Sequence, residues 1–87
     1  MLLRVQRRHA RVVLRGGLLT GARCRGAARL TLVRRHHGQH GVRARRGPLR
    51  RGHYLLKLRV APGRYRARVV VRSSCGERAA TRGFRVP

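Results

Sequence analysis

Acidic residues are almost missing from this chain: there is no aspartate, and Glu77 is the only glutamate among 87 residues. That removes the carboxylate pairs of glycoside chemistry, the Ser-His-Asp triad and any acid-built metal site. Tryptophan is absent, and aromatics amount to Tyr54, Tyr65 and Phe84. The stacking platforms by which many proteins read single-stranded bases therefore have little to be made from. Valine and leucine must fill the interior. Apolar runs are short, Val69-Val70-Val71 being typical, against the ~20 residues that a membrane-spanning helix needs. The opening MLLRVQRRHARVVLRGG lacks the apolar stretch of a secretory signal. It is acid-free and arginine-rich, as organelle transit peptides are, but so is the whole chain, and the segment has no serine. The compartment stays open, cytoplasmic on the main reading and the cell surface on the alternative below.

Lysine is scarce too. Of 24 Lys+Arg, only Lys57 is lysine, so a formal net charge of +23 is carried almost entirely by guanidinium. Guanidinium stays protonated when crowded and meets phosphate or carboxylate with two parallel hydrogen bonds. With one acid to pair against, self-repulsion opposes compaction unless counterions or a polyanion screen it. Two explanations fit an arginine excess of this kind, a polyanionic partner or the nucleotide composition of the source. The patterning of the apolar residues argues against a chain with no fold at all.

That patterning has period two. Val12 and Leu14 oppose Arg11, Val13 and Arg15; Ala28, Leu30 and Leu32 oppose Arg29, Thr31 and Val33. Tyr54, Leu56, Leu58 and Val60 oppose Leu55, Lys57 and Arg59, and Tyr65, Ala67, Val69 and Val71 oppose Arg64, Arg66, Arg68 and Arg72. Short VRAR (42–45) and FRV (84–86) segments complete the set. Glycine-bearing breaks separate them: HHGQHG, GPLRRG from Gly47 to Gly52, and APG, where Pro62 presets φ and Gly63 permits a left-handed turn position. The expected fold is all-β, a small antiparallel sandwich of six or seven short strands. Residues 1–9 read as a basic N-terminal arm and 10–87 as the sandwich domain. Ser74 and Glu77 in SSCGER have the spacing of a helix capping box, although a loop suits the neighbouring glycines better.

A strand, a Cys-Arg-Gly opening, an alternating strand, APGRYRARVVV, a second cysteine and a closing GFRV follow one another over residues 10–86. This order resembles the immunoglobulin-like and fibronectin-like β-sandwich modules repeated in bacterial surface and secreted proteins. The resemblance implies a structural or adhesion module without catalysis. The chain departs from that pattern in lacking a core tryptophan and acidic loops.

Cys24 and Cys75 are the only cysteines. If the strands at 27–35, 42–46, 53–60 and 64–72 reverse at each turn, the two cysteines come to the same end of the stack, where a disulfide can form. In a reducing compartment they are instead two thiols. A Cys-His dyad from these residues has no local signature, so no catalytic residue is expected. His36, His37 and His40 in HHGQH follow Arg34 and Arg35, which repel a divalent cation; the stretch reads as a solvated turn and no metal or other cofactor is expected. GGLLTGAR has the glycines of a phosphate loop without its Gly-Lys-Ser/Thr ending.

Arginine placement is what remains. RARRGPLRR is the densest basic run, with Arg43, Arg45, Arg46, Arg50 and Arg51. Arg64, Arg66, Arg68 and Arg72 form a second surface, joined by Lys57 and Arg59 if the two strands pair. These residues are the candidate contacts to a polyanion, nucleic acid (including structured RNA) or another anionic polymer, by sequence-independent counterion release. The expectation is a non-enzymatic cationic β module binding a polyanion; the alternative is a structural or adhesion Ig-like module at a bacterial cell surface.

Overall fold

Along His53–Arg59 the side chains alternate strictly between exposed and buried, and most of Gly63–Ser73 does the same. The alternation arises because successive Cβ atoms of an extended chain point to opposite faces; every buried position is apolar and nearly every exposed one is basic. The computed structural model describes residues 1–8, 11–18, 23–36 and 39–87. These form seven strands: β1 (Leu2–Arg8), β2 (Arg11–Gly17), β3 (Gly26–His36), β4 (Gln39–Leu49), β5 (His53–Arg59), β6 (Gly63–Ser73) and β7 (Gly76–Val86). No helix occurs among the described residues.

Two antiparallel sheets result, one of three strands in the order β1-β2-β5 and one of four in the order β4-β3-β6-β7. Their inner faces share one core. Val12 and Leu14 from β2 and Tyr54, Leu56 and Leu58 from β5 meet Leu30 and Leu32 from β3 and Val69 and Val71 from β6. Among the described residues nothing polar or charged is buried as a whole side chain. The all-β sandwich expected from the alternation is what forms, with each predicted inward residue of β2, β3, β5 and β6 in the core.

The segment set apart as an N-terminal arm contains β1, which pairs with β2 from Leu2↔Gly17 to Arg8↔Arg11 and buries Leu3. Only Leu3 and Val5 offer an inward apolar pair there, too little alternation to stand out beside four arginine-bearing segments. β4 is also longer than VRAR. It runs through Pro48, which an edge strand accommodates because one side of its backbone needs no partner.

The turns are specific. Arg50 and His53 exchange backbone hydrogen bonds (2.7 and 2.9 Å) around Arg51 and Gly52, both at positive φ (51° and 77°), a two-residue turn that swings the chain from one sheet to the other. The left-handed conformation costs the non-glycine Arg51 about 1–2 kcal/mol. Gly63 takes the positive φ (150°) anticipated after Pro62. At that corner the Tyr65 hydroxyl donates to the Ala61 carbonyl, and its ring stacks on Phe84 of β7 with centroids 5.7 Å apart.

SSCGER forms the β6–β7 hairpin instead of a capped helical turn. Ser73 Oγ accepts from the Cys75 amide and donates to the Gly76 carbonyl, both at 3.1 Å. Cys75 is disulfide-bonded to Cys24, with Cα atoms 5.5 Å apart. Beside the bond, Ser74 N donates to Arg25 O (2.8 Å) and Arg25 N donates to Ser74 Oγ (3.1 Å). Of the two states open to the cysteines, the disulfide is the one present: β3 and β6 run in opposite directions, as reversal at each turn requires, so the residues before one and after the other share an end.

Candidate polyanion-binding faces

Strand pairing decides which arginines can act together. β5 pairs with β2 and β6 pairs with β3 and β7, so β5 and β6 lie in different sheets. The single stripe expected from Lys57 and Arg59 beside Arg64, Arg66, Arg68 and Arg72 does not exist. That stripe requires consecutive strands to be neighbours, whereas the chain crosses between sheets at Val60–Pro62. Lys57 and Arg59 lie on the outer face of the three-stranded sheet, and the β6 arginines on the outer face of the other.

The four-stranded face is ordered by register. Arg29 of β3 stands opposite Arg46 of β4; Arg64 of β6 stands opposite Arg85 of β7, and Arg72 opposite Glu77. Only the last pair combines opposite signs: Arg72 Nε is 3.2 Å from Glu77 Oε2, with 80% and 58% of the two side chains exposed, so the ion pair adds little stability. Small residues floor the middle of this face. A shallow trough of about 590 Å³ is lined by Ala27, Thr31, Ala44 and Val70, with Arg29 and Arg68 at its sides.

The three-stranded face repeats the pattern. Arg4 of β1 stands opposite Arg15 of β2, and Arg11 of β2 opposite Arg59 of β5, with Lys57 across from Val13. Leu2 and Leu55, each 47% exposed, give this face an apolar end. No acid lies on it among the described residues.

The dense run RARRGPLRR is dispersed by β4. Arg46 points to the outer face. Arg43 and Arg45 lie on the opposite side of the strand, at the edge of the sandwich, where Arg43 Nη1 donates to the Arg59 carbonyl across the seam between the sheets. Arg50 and Arg51 are exposed at the corner turn, with Arg51 beside the Cys24 segment. Arg4, Arg11, Arg15, Arg29 and Arg85 belong to the two faces but are not among the contacts picked from the sequence. Period two exposes them all, yet only the cross-strand partners tell which arginines become neighbours.

Burial pushes the Tyr54 hydroxyl up to about 12, because desolvation disfavours the phenolate. That hydroxyl faces the Leu2 carbonyl at 3.3 Å and packs over Gly16, where any Cβ would collide with it. Of the histidine turn, His37 and Gly38 lie outside the described residues, while the backbone of His36 ends β3 and those of Gln39 and His40 open β4. Residues 19–22 of GGLLTGAR also lie outside them, while Gly16 and Gly17 close β2. Among the described residues no three His, Cys, Asp or Glu side chains gather as a metal site, and no helix is long and apolar enough to cross a membrane. Compared with models of known families, with curated proteins and with solved structures, the chain matches none.

Proposed function

We propose that this domain is a non-enzymatic binder of polyanions, nucleic acid including structured RNA before others, and that its outer sheet faces make the contact. The observation that carries the reading is the facing of like charges in register: Arg29 with Arg46, Arg64 with Arg85, Arg4 with Arg15 and Arg11 with Arg59. Directly opposed like charges destabilise a sheet, and an anion lying between them turns that repulsion into attraction. Along β6 the two-residue repeat of Arg64, Arg66 and Arg68 spans about 6.6 Å per step, about twice the ~3.4 Å axial rise per phosphate of a strand. The test is binding to random-sequence duplex and to RNA across a salt series. With about five phosphates neutralised, affinity falls several hundred-fold between ~50 and ~200 mM salt; absent binding at low salt, or a flat response, rejects the reading.

A second reading, a structural or adhesion module of immunoglobulin-like type at a bacterial surface, is favoured by one contact. Tyr65, near the start of β6, bonds back to the carbonyl of Ala61, the arrangement known as a tyrosine corner in such sandwiches. Preferential binding of an anionic wall polymer over nucleic acid of equal charge supports this reading; the reverse preference counts against it.

A further inference from the structure

The two arginine arrays back onto one core, so they point in opposite directions. A short duplex, stiff over the dimensions of this domain, cannot follow the surface from one sheet round to the cations of the other. On the three-stranded face these are Arg4, Arg11, Arg15, Lys57 and Arg59, all exposed. On the four-stranded face Arg29, Arg46, Arg64, Arg66, Arg68 and Arg85 are exposed as well, and Glu77 offsets only Arg72. One occupied face therefore leaves a second one uncompensated.

Distance permits both to be filled. The domain measures 42 × 23 × 16 Å along its principal axes, and two packed sheets lie about 10 Å apart. The arginine side chains extend further on either side. The Debye length at physiological salt is about 8 Å, so polyanions on opposite faces are held beyond the range at which they repel strongly.

We infer that the domain is a two-sided linker that holds two separate nucleic-acid duplexes at once, one on each sheet. This rests on the polyanion reading and adds a consequence that binding alone does not entail: the protein brings duplexes together.

The experiment mixes donor-labelled and acceptor-labelled short duplexes in excess over the intact, disulfide-bonded chain, and reads energy transfer alongside the anisotropy of a single labelled duplex. The wild-type chain raises transfer. The variant Arg11→Gln/Arg15→Gln/Lys57→Gln/Arg59→Gln and the variant Arg29→Gln/Arg46→Gln/Arg66→Gln/Arg68→Gln each still bind a duplex through the face left intact, but transfer falls several-fold below that of the wild-type chain. Arg11→Gln/Lys57→Gln/Arg46→Gln/Arg68→Gln removes the same total charge but leaves cations on both faces, so its transfer stays above that of either one-face variant. Circular dichroism and a non-reducing mass measurement establish that each variant retains its strands and disulfide. Wild-type binding without transfer overturns the linker while leaving the polyanion reading intact, and no wild-type binding at low salt overturns both. Equal transfer from one-face and split variants also overturns the linker, since charge-driven coacervation then accounts for the signal.

Discussion

Arg82 Nη1 donates a 3.0 Å hydrogen bond to the carbonyl of Leu3, from the inner side of β7 across to β1. These are edge strands of different sheets, so the bond closes one open side of the sandwich, as Arg43 and the Arg59 carbonyl close the other. A partly buried, charge-assisted bond of this type contributes about 1.5–3 kcal/mol. Arg82→Ala is expected to lose roughly that much stability in urea denaturation, and Arg82→Lys to recover part of it. An unchanged midpoint in Arg82→Ala means the seam holds without the bond.

The disulfide closes a loop with a sequence separation of 51. In the chain-entropy account such a loop is worth about 4 kcal/mol, a large part of the stability of a domain this small. Reduction, or Cys24→Ser/Cys75→Ser, is expected to lower the urea midpoint accordingly. The Arg25–Ser74 bonds beside it then hold the hairpin to the preceding loop alone, and amide exchange at Ser74 is expected to accelerate.

Tyr54 provides a pH signature. Its hydroxyl is raised from 10.0 to about 12 in the folded protein, so between those values the folded state holds a proton that the unfolded chain releases. The contribution is complete below pH ~10 and is lost as pH rises towards ~12, amounting to about 2–3 kcal/mol. Stability measured in urea is expected to decline across this window, and Tyr54→Phe is expected to make the decline shallower.

Placing one acid where like charges now face is expected to strengthen the sheet and, on the polyanion reading, to weaken duplex binding. Arg46→Glu, opposite Arg29, is expected to gain about 0.2–1 kcal/mol at low ionic strength, a gain that shrinks as salt is added. Urea, being uncharged, is the denaturant for this comparison. The same variant is expected to bind duplex more weakly than wild type, which separates stability from affinity in one protein.

How far the sequence was readable differs between core and surface. Val12, Leu30, Leu56 and Val69 declare their burial by period two, because a pleated strand leaves an apolar side chain only one face to hide on. The partnership of Arg29 with Arg46, or Arg11 with Arg59, is written in no local pattern. It depends on which strands cross between sheets, and β5 follows β4 in sequence yet pairs with β2. Adjacency along the chain groups Lys57 and Arg59 with the β6 arginines, but the corner at Val60–Pro62 sends β5 and β6 to different sheets. β1 eluded the pattern because two inward apolar residues make too short a series. The disulfide was legible because its argument needed only the direction of the strands, not their order.

Pro48 and the arginines along β4 have a consequence for how copies of this molecule treat one another. Edge strands β4 and β7 each present an unpaired backbone row, the kind of template onto which another chain can add. Arg43, Arg45 and Arg46 on one edge and Arg78, Arg82 and Arg85 on the other make every approach of a second copy an approach of like charge. Colloidal stability and edge protection thus come from a single source, and both are withdrawn wherever that charge is neutralised. A saturating polyanion is therefore also the condition under which these edges become able to join.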